Sequence, residues 1–153
     1  MYFIIIAGFI IPWCFGIFLY RKAPILFLTS SLFIALLSLI LNQLGIQLGY
    51  WAVRPKTEID LLDSLFLDLG YFAIAGAYFT YFIQYKNYKR IWVYLGTIFI
   101  LNGLEFLALS TNRVQYCKGW NIGLTFLLYL GGIILLDLYS LKMKKFGIFQ
   151  FNK

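Results

Sequence analysis

The sequence predicts an all-α fold, an integral membrane bundle of about five transmembrane helices in a single domain of residues 1–153, and three observations carry the prediction. Hydrophobic residues make up 62% of the 153-residue chain and charged residues only 12%, whereas a soluble domain is nearer half apolar and a quarter charged. A chain this short leaves much of its surface exposed when folded, so that much apolar surface calls for lipid rather than water around it. The apolar residues fall in runs of about 20, the length of helix that crosses a hydrocarbon core about 30 Å thick. None of the runs alternates with period two, which argues against a β-barrel.

The first run, residues 1–20, carries no charge and is followed by Arg21 and Lys22. A signal peptide shows the opposite order, a basic start and then a small-residue cleavage site, so a retained span is expected at about 3–20, kinked at Pro12. Pro24 suits the first turn of a second helix. The uncharged stretch from Ala23 to Val53 is too long for one span. Its strongly apolar part predicts a helix over about 24–45, and Asn42, Gln43 and Gln47 lead into an interfacial segment with Tyr50 and Trp51 at headgroup level. Thr57-Glu58-Ile59-Asp60 reads as a capping box for a third helix over about 59–85. Ala73 and Ala77 stand one turn apart in its middle, a small-residue face that lets a neighbouring helix approach. A fourth span is expected at about 91–110. The polar loop around Arg113, Cys117 and Lys118 follows, then a fifth span at about 120–140 and a basic tail.

Five spans place the termini on opposite sides. One side then holds nine basic residues (Arg21, Lys22, Lys86, Lys89, Arg90, Lys142, Lys144, Lys145 and Lys153) and the other four (Arg54, Lys56, Arg113 and Lys118). The excess of Lys and Arg on cytoplasmic loops assigns the nine to the cytoplasm, with the N-terminus outside and the C-terminus inside. The net charge of +7 is therefore expected to meet anionic lipid headgroups on the cytoplasmic face. No basic run is long enough to follow a nucleic-acid backbone, so nucleic acid is not an expected partner.

The chain has no histidine and only two cysteines, Cys14 and Cys117, without a C-x-x-C spacing. Zinc, haem and copper sites of the usual kinds are not expected, nor any other cofactor, and a nucleophile activated by histidine is excluded.

Six carboxylates remain: Glu58, Asp60, Asp63, Asp68, Glu105 and Asp137. The first three lie near a helix N-terminus, where negative charge is favoured. Asp137 lies near the cytoplasmic end of the last helix, from where it could reach toward Lys142 and Lys144. Asp68 is about 16 Å along its helix from the expected cap, and Glu105 about 8 Å inside its helix end. A charge at such depth costs about 2.5–3.5 kcal/mol on insertion scales, so both residues should face the bundle interior, pair, or take up a proton. On the expected topology Asp63, Asp68, Asn102, Glu105, Tyr116, Trp120 and Asn121 collect on the outer side, near Asn42 and Arg113, with Trp51 and Trp120 framing an opening. They form the candidate ligand site, with Glu105 as its anchor. A structural polar cluster, in which Glu105 is satisfied by Asn102, Tyr116, Asn121 or a loop arginine, explains the same residues.

Leu104-Glu105-Phe106, then Tyr116, Gly119-Trp120-Asn121 and an apolar run with Tyr129, together with Leu48-Gly49-Tyr50-Trp51, resemble an uncharacterised family of small multi-pass membrane proteins from spore-forming Firmicutes. The resemblance covers about two thirds of the chain. It departs at Asn42 and Gln43, where family members carry an acidic residue, and at Phe106, where they carry Trp. It implies a membrane location and no particular activity.

Three functions are open on the sequence. The first is a structural or accessory component of a larger membrane complex or homo-oligomer, favoured by the short loops and the lack of catalytic groups. The second is a binding or transport component using the outer polar pocket, although no inverted repeat is visible. The third is a membrane enzyme holding magnesium on Asp60, Asp63 and Asp68.

Overall fold

A computed structural model describes residues 5–54, 56 and 58–149. Five helical rods are joined by short connections, and one small two-stranded sheet lies at one end. Helix α1 opens with a π-helical stretch, Ile6–Ile10, and continues as α-helix over Ile11–Lys22. Pro12 stands at the start of the α-helical part, so its missing N–H falls where the hydrogen-bond register is already changing. Ala23 alone turns the chain, and helix α2, Pro24–Gln47, runs back with Pro24 in its first turn, where proline removes no intrahelical donor.

Helix α3 is composite: Asp60–Phe66, a π-helical segment Leu67–Phe72, a regular stretch Ala73–Thr80, and a second π-helical segment Tyr81–Tyr85. Thr57 and the side chain of Asp60 lie outside the described residues, and with them the expected capping box. Helix α4 spans Arg90–Ser110 and helix α5 spans Ile122–Lys145. Each expected span overlaps a helix whose ends are shifted by a few residues, and the expected start of the first, at about residue 3, lies outside the described residues. Four helices, Pro24–Gln47, Leu61–Tyr85, Arg90–Ser110 and Ile122–Lys145, are long and apolar enough to cross a membrane.

Helix α3 is the centre of the bundle. Just over half of its most apolar window is buried, against a third or less for α2, α4 and α5. Its small residues make this possible. Ala73 and Ala77 are buried, and a Cβ on Gly76 would stand 2.6 Å from Ile34 of α2. Gly70 meets the backbone of Gly8 and Phe9 of α1. Two apolar clusters result. Leu19, Leu26, Phe27, Ile74 and Ala77 fill the space between α1, α2 and α3, and Ile34, Phe79, Val93, Ile98, Ile133 and Leu136 join α2, α3, α4 and α5. The outer faces are apolar too. Leu28, Leu32, Leu36, Ile40 and Leu44 form an exposed stripe at every fourth residue of α2, and on α4 Phe99 is 80% exposed.

The sheet corrects the sequence reading. The segment after α2 and the loop after α4 were expected as an interfacial stretch and an irregular loop, but Trp51–Val53 (β1) and Val114–Tyr116 (β2) pair antiparallel. Trp51 stands opposite Tyr116 and Val53 opposite Val114. Two further backbone bonds extend the pairing, Arg54 N–H to Arg113 O and Cys117 N–H to Tyr50 O, both 2.7 Å. The strands pair across 60 residues of chain, beyond the reach of local pattern.

Asp137 is a second correction. It does not reach out toward the tail lysines but is buried, accepting a hydrogen bond from the Tyr94 hydroxyl at 3.0 Å and standing 3.4 Å from the Arg90 guanidinium. Gln84 donates to Ser140 one turn away at 3.0 Å, so the end of the bundle opposite the sheet is tied by interhelical polar contacts.

Candidate functional site

Glu105 lies five residues before the end of α4, half-buried, and both its carboxylate oxygens are held. Oε1 accepts from the Tyr116 hydroxyl at 2.7 Å and Oε2 from the Tyr129 hydroxyl at 2.9 Å. Tyr116 is placed by strand β2 and Tyr129 by α5, two turns in from its start, so three elements converge on one carboxylate. Behind Tyr116 the network continues. The Thr125 and Tyr116 hydroxyls are 2.8 Å apart, and the Trp120 indole N–H donates to Thr125 at 2.9 Å. Because Tyr116 uses its proton on Glu105, Thr125 donates to Tyr116 and accepts from Trp120. The chain of donors therefore runs from Trp120 through Thr125 and Tyr116 to Glu105.

The local backbone explains this convergence. Lys118 and Gly119 both adopt left-handed conformations (φ 50° and 76°), and the Trp120 N–H returns to the Cys117 carbonyl at 2.9 Å. Two successive residues with positive φ make the tight turn, which glycine accommodates without strain. It delivers Trp120 onto Trp51 and Tyr50, with ring centroids 4.8 and 5.3 Å apart. Trp51 in turn lies directly on Gly45 of α2, where any side chain would collide with its indole. Asn121 then caps α5, its side-chain oxygen accepting from Leu124 N–H at 3.1 Å.

These residues border a cavity of about 420 Å³, within the size range of small-molecule pockets. It lies among the sheet-side halves of α3, α4 and α5 and the start of α1, with β1 and β2 closing one end. Glu105, Tyr116, Trp120, Asn42 and Arg113 of the expected outer cluster line it, as does Trp51. Tyr71 and Phe72, from the π-helical segment of α3, form part of its wall. The Tyr71 hydroxyl is buried and makes no hydrogen bond with the described residues. A smaller cavity of about 60 Å³ adjoins, sharing Asn42, Phe72, Leu128 and Tyr129.

The remaining expected site residues lie elsewhere. Asp68 is fully buried between α2 and α3, its Oδ1 accepting from the Asn42 side chain at 2.6 Å, with the Ser64 and Ser38 hydroxyls facing the same carboxyl. Gln43 donates to Ser64 at 3.0 Å. Asp63 is buried near the start of α3. Neither aspartate lines the large cavity. Asn102 donates to the Ile98 carbonyl of its own helix at 3.0 Å, and Asn121 serves as a cap, so neither reaches Glu105. Among the described residues no three carboxylates, cysteines or histidines converge as metal ligands.

Tyr129 and Thr125 complete the site, and residue-by-residue reading did not select them as site residues. The available signal is periodic: Thr125 and Tyr129 follow Asn121 at intervals of four, so all three share one face of α5. Tyr116, on the strand outside the helices, has its hydroxyl pKa raised, first by burial and then by the neighbouring Glu105, with the Thr125 bond opposing. A neutral, donating tyrosine is what the carboxylate requires.

Comparison with known proteins gives no relative: no family model, no curated protein and no solved structure matches the chain.

Proposed function

We propose that the chain crosses a bilayer five times and serves as a non-enzymatic accessory component that binds a small, mainly apolar molecule in the outer half of the membrane. The observation that carries this reading is the 420 Å³ cavity with Glu105 fixed on its wall by Tyr116 and Tyr129. A purely structural polar cluster tends to close over its charged group, whereas here the carboxylate borders open volume.

Membrane insertion is supported by the four long apolar helices and by the exposed leucine stripe on α2. The fifth span in this reading is α1, about 26 Å long over its described 17 residues. The orientation follows from nine basic residues against four. It puts the sheet and the cavity outside and the Arg90–Asp137 pair at the cytoplasmic end, where the basic residues meet anionic headgroups. A reporter fused after Lys153 is expected in the cytoplasm. Membership of the spore-former family belongs to the same proposal and adds no activity to it.

Native mass spectrometry of the protein extracted from its membrane tests the binding function. A retained small molecule is expected on the wild type and should be lost from Ala108→Phe, which places a ring in the cavity from α4. Equal spectra for the two proteins would leave the structural-component reading in its place, and an oligomer in the same spectra would identify the assembly.

A further inference from the structure

Leu104 and Leu107 of α4 border the cavity and are 43% and 56% exposed. Ala7 and Gly8 of α1 line it as well, small residues that take up little of its volume. Helix α4 packs on α5, on β2 and on the Ala73–Tyr85 part of α3. On the topology proposed above the cavity lies at the height of the outer hydrocarbon. What enters from hydrocarbon has an apolar body, and the cavity wall is mainly apolar to receive it.

The polar end of the cavity then selects the head of that molecule. The acidic group is Glu105, whose two oxygens accept from the Tyr116 and Tyr129 hydroxyls. The Tyr71 hydroxyl on the same wall lacks a partner among the described residues and can accept a hydrogen bond. Around them stand the faces of Tyr129 and Phe72, with centroids 5.7 Å apart, and the Trp51–Trp120 pair. A carboxylate among aromatic faces matches an ammonium group, which gains from ion pairing and from the ring quadrupoles in a site shielded from water. An anionic head would meet Glu105 on entry. The guanidinium that lines the cavity, Arg113, belongs to the loop before β2 rather than to the helix that carries Glu105.

Resting on the pocket reading above, we propose that the ligand is an amine-headed amphiphile, with its ammonium on Glu105 and its hydrocarbon chain against Leu104, Leu107 and Ala108. The chemistry is shared by single-chain alkylamines and by aminolipids.

The protein in phosphatidylcholine nanodiscs can be titrated with 11-bromoundecyl ammonium, alcohol and carboxylate, whose bromine quenches Trp51 and Trp120. Ala108→Phe serves as the baseline for partitioning into lipid alone. The ammonium is expected to bind about thirtyfold more tightly than the alcohol, an ion pair and cation–π contact in a shielded site. Glu105→Gln should abolish that ratio while retaining alcohol binding. Quenching no different from Ala108→Phe for every probe would remove the pocket itself. Equal affinity for ammonium and alcohol in the wild type, a ratio that needs no variant to fold, would keep the pocket and overturn the amine. Preference for the carboxylate would overturn it in favour of an anion. Competition by added phosphatidylethanolamine would support the amine with a lipid source, and its failure to compete would support a single-chain source.

Discussion

Cutting the contact between Glu105 and Tyr129 gives a measurable energy that only the observed geometry provides. Tyr129→Phe removes one hydroxyl and leaves the ring, so it deletes the 2.9 Å bond to Oε2 and little else. Hydrogen bonds to charged acceptors contribute about 1.5–3 kcal/mol in proteins generally. Interhelical bonds within membrane bundles average about 0.6 kcal/mol by double-mutant cycle, with a maximum near 1.7, because the inserted unfolded state finds other partners. The charge on Glu105 places this bond toward the upper end, so about 1–2 kcal/mol of coupling is expected. Glu105→Ala alone should cost more, about 2–4 kcal/mol, because it deprives two tyrosine hydroxyls of their acceptor while Thr125 still reaches Tyr116. The assay is reversible unfolding in mixed micelles, followed by tryptophan fluorescence, for the wild type, Glu105→Ala, Tyr129→Phe and the double variant. Tyr71→Phe serves as the control, since its hydroxyl makes no hydrogen bond with the described residues, and its coupling to Glu105 should be near zero. A Glu105–Tyr129 coupling below about 0.5 kcal/mol, or one no larger than the Tyr71 control, would refute the picture of a carboxylate held by α5.

Gly70→Ala should destabilise the protein by about 1–3 kcal/mol, the usual cost of overpacking, because its Cβ would meet the Gly8 carbonyl and the Phe9 Cα, neither of which can rotate away. Gly96→Ala, with open space around it, should be neutral or slightly stabilising in the same unfolding assay. Cys14 and Cys117 are both exposed, yet on the proposed topology, with Cys117 in an outer loop and Cys14 midway along a membrane-embedded α1, an impermeant maleimide added to intact cells should label Cys117 and leave Cys14; labelling of both would contradict the membrane reading. The raised pKa of Tyr116 sets a sign for alkaline unfolding. The neutral form is the one the fold favours, so its contribution is complete below the unfolded value of about 10 and is lost as pH rises from there toward the folded value. Tyr116→Phe should therefore flatten the fall in stability above about pH 10, and an unchanged profile would show that Tyr116 titrates as freely as in the unfolded chain.

Sequence alone determined the helices and much of the site's raw material. Runs of apolar residues with charges only at their ends leave the backbone one economical way to satisfy its own polar groups, and Pro24 and the basic clusters mark where the rods stop. The isolation of Glu105 in such a run was equally legible, because a carboxylate there is costly wherever it points. What it points at was decided by the tertiary structure. Asn102, one turn away on the same helix, looked like its partner but bonds its own backbone, while the two tyrosines come from β2 and α5, 11 and 24 residues further on. The strand pairing that positions Tyr116 joins loops 60 residues apart, and three-residue strands carry too few side chains to show an alternating pattern. Asp68 and Asp137 show the same division. The depth of Asp68 along its helix could be read from the chain, whereas Asp137 was expected to reach toward the tail lysines; whether a buried carboxylate meets Asn42, Tyr94 and Arg90 or an open cavity depends on which helices lie side by side. The cavity forms among helices whose neighbours are chosen in the fold: α4 packs on α5, on β2 and on the Ala73–Tyr85 part of α3. A rigid helix transmits that choice of contacts along its whole length, and no local stretch of sequence encodes it.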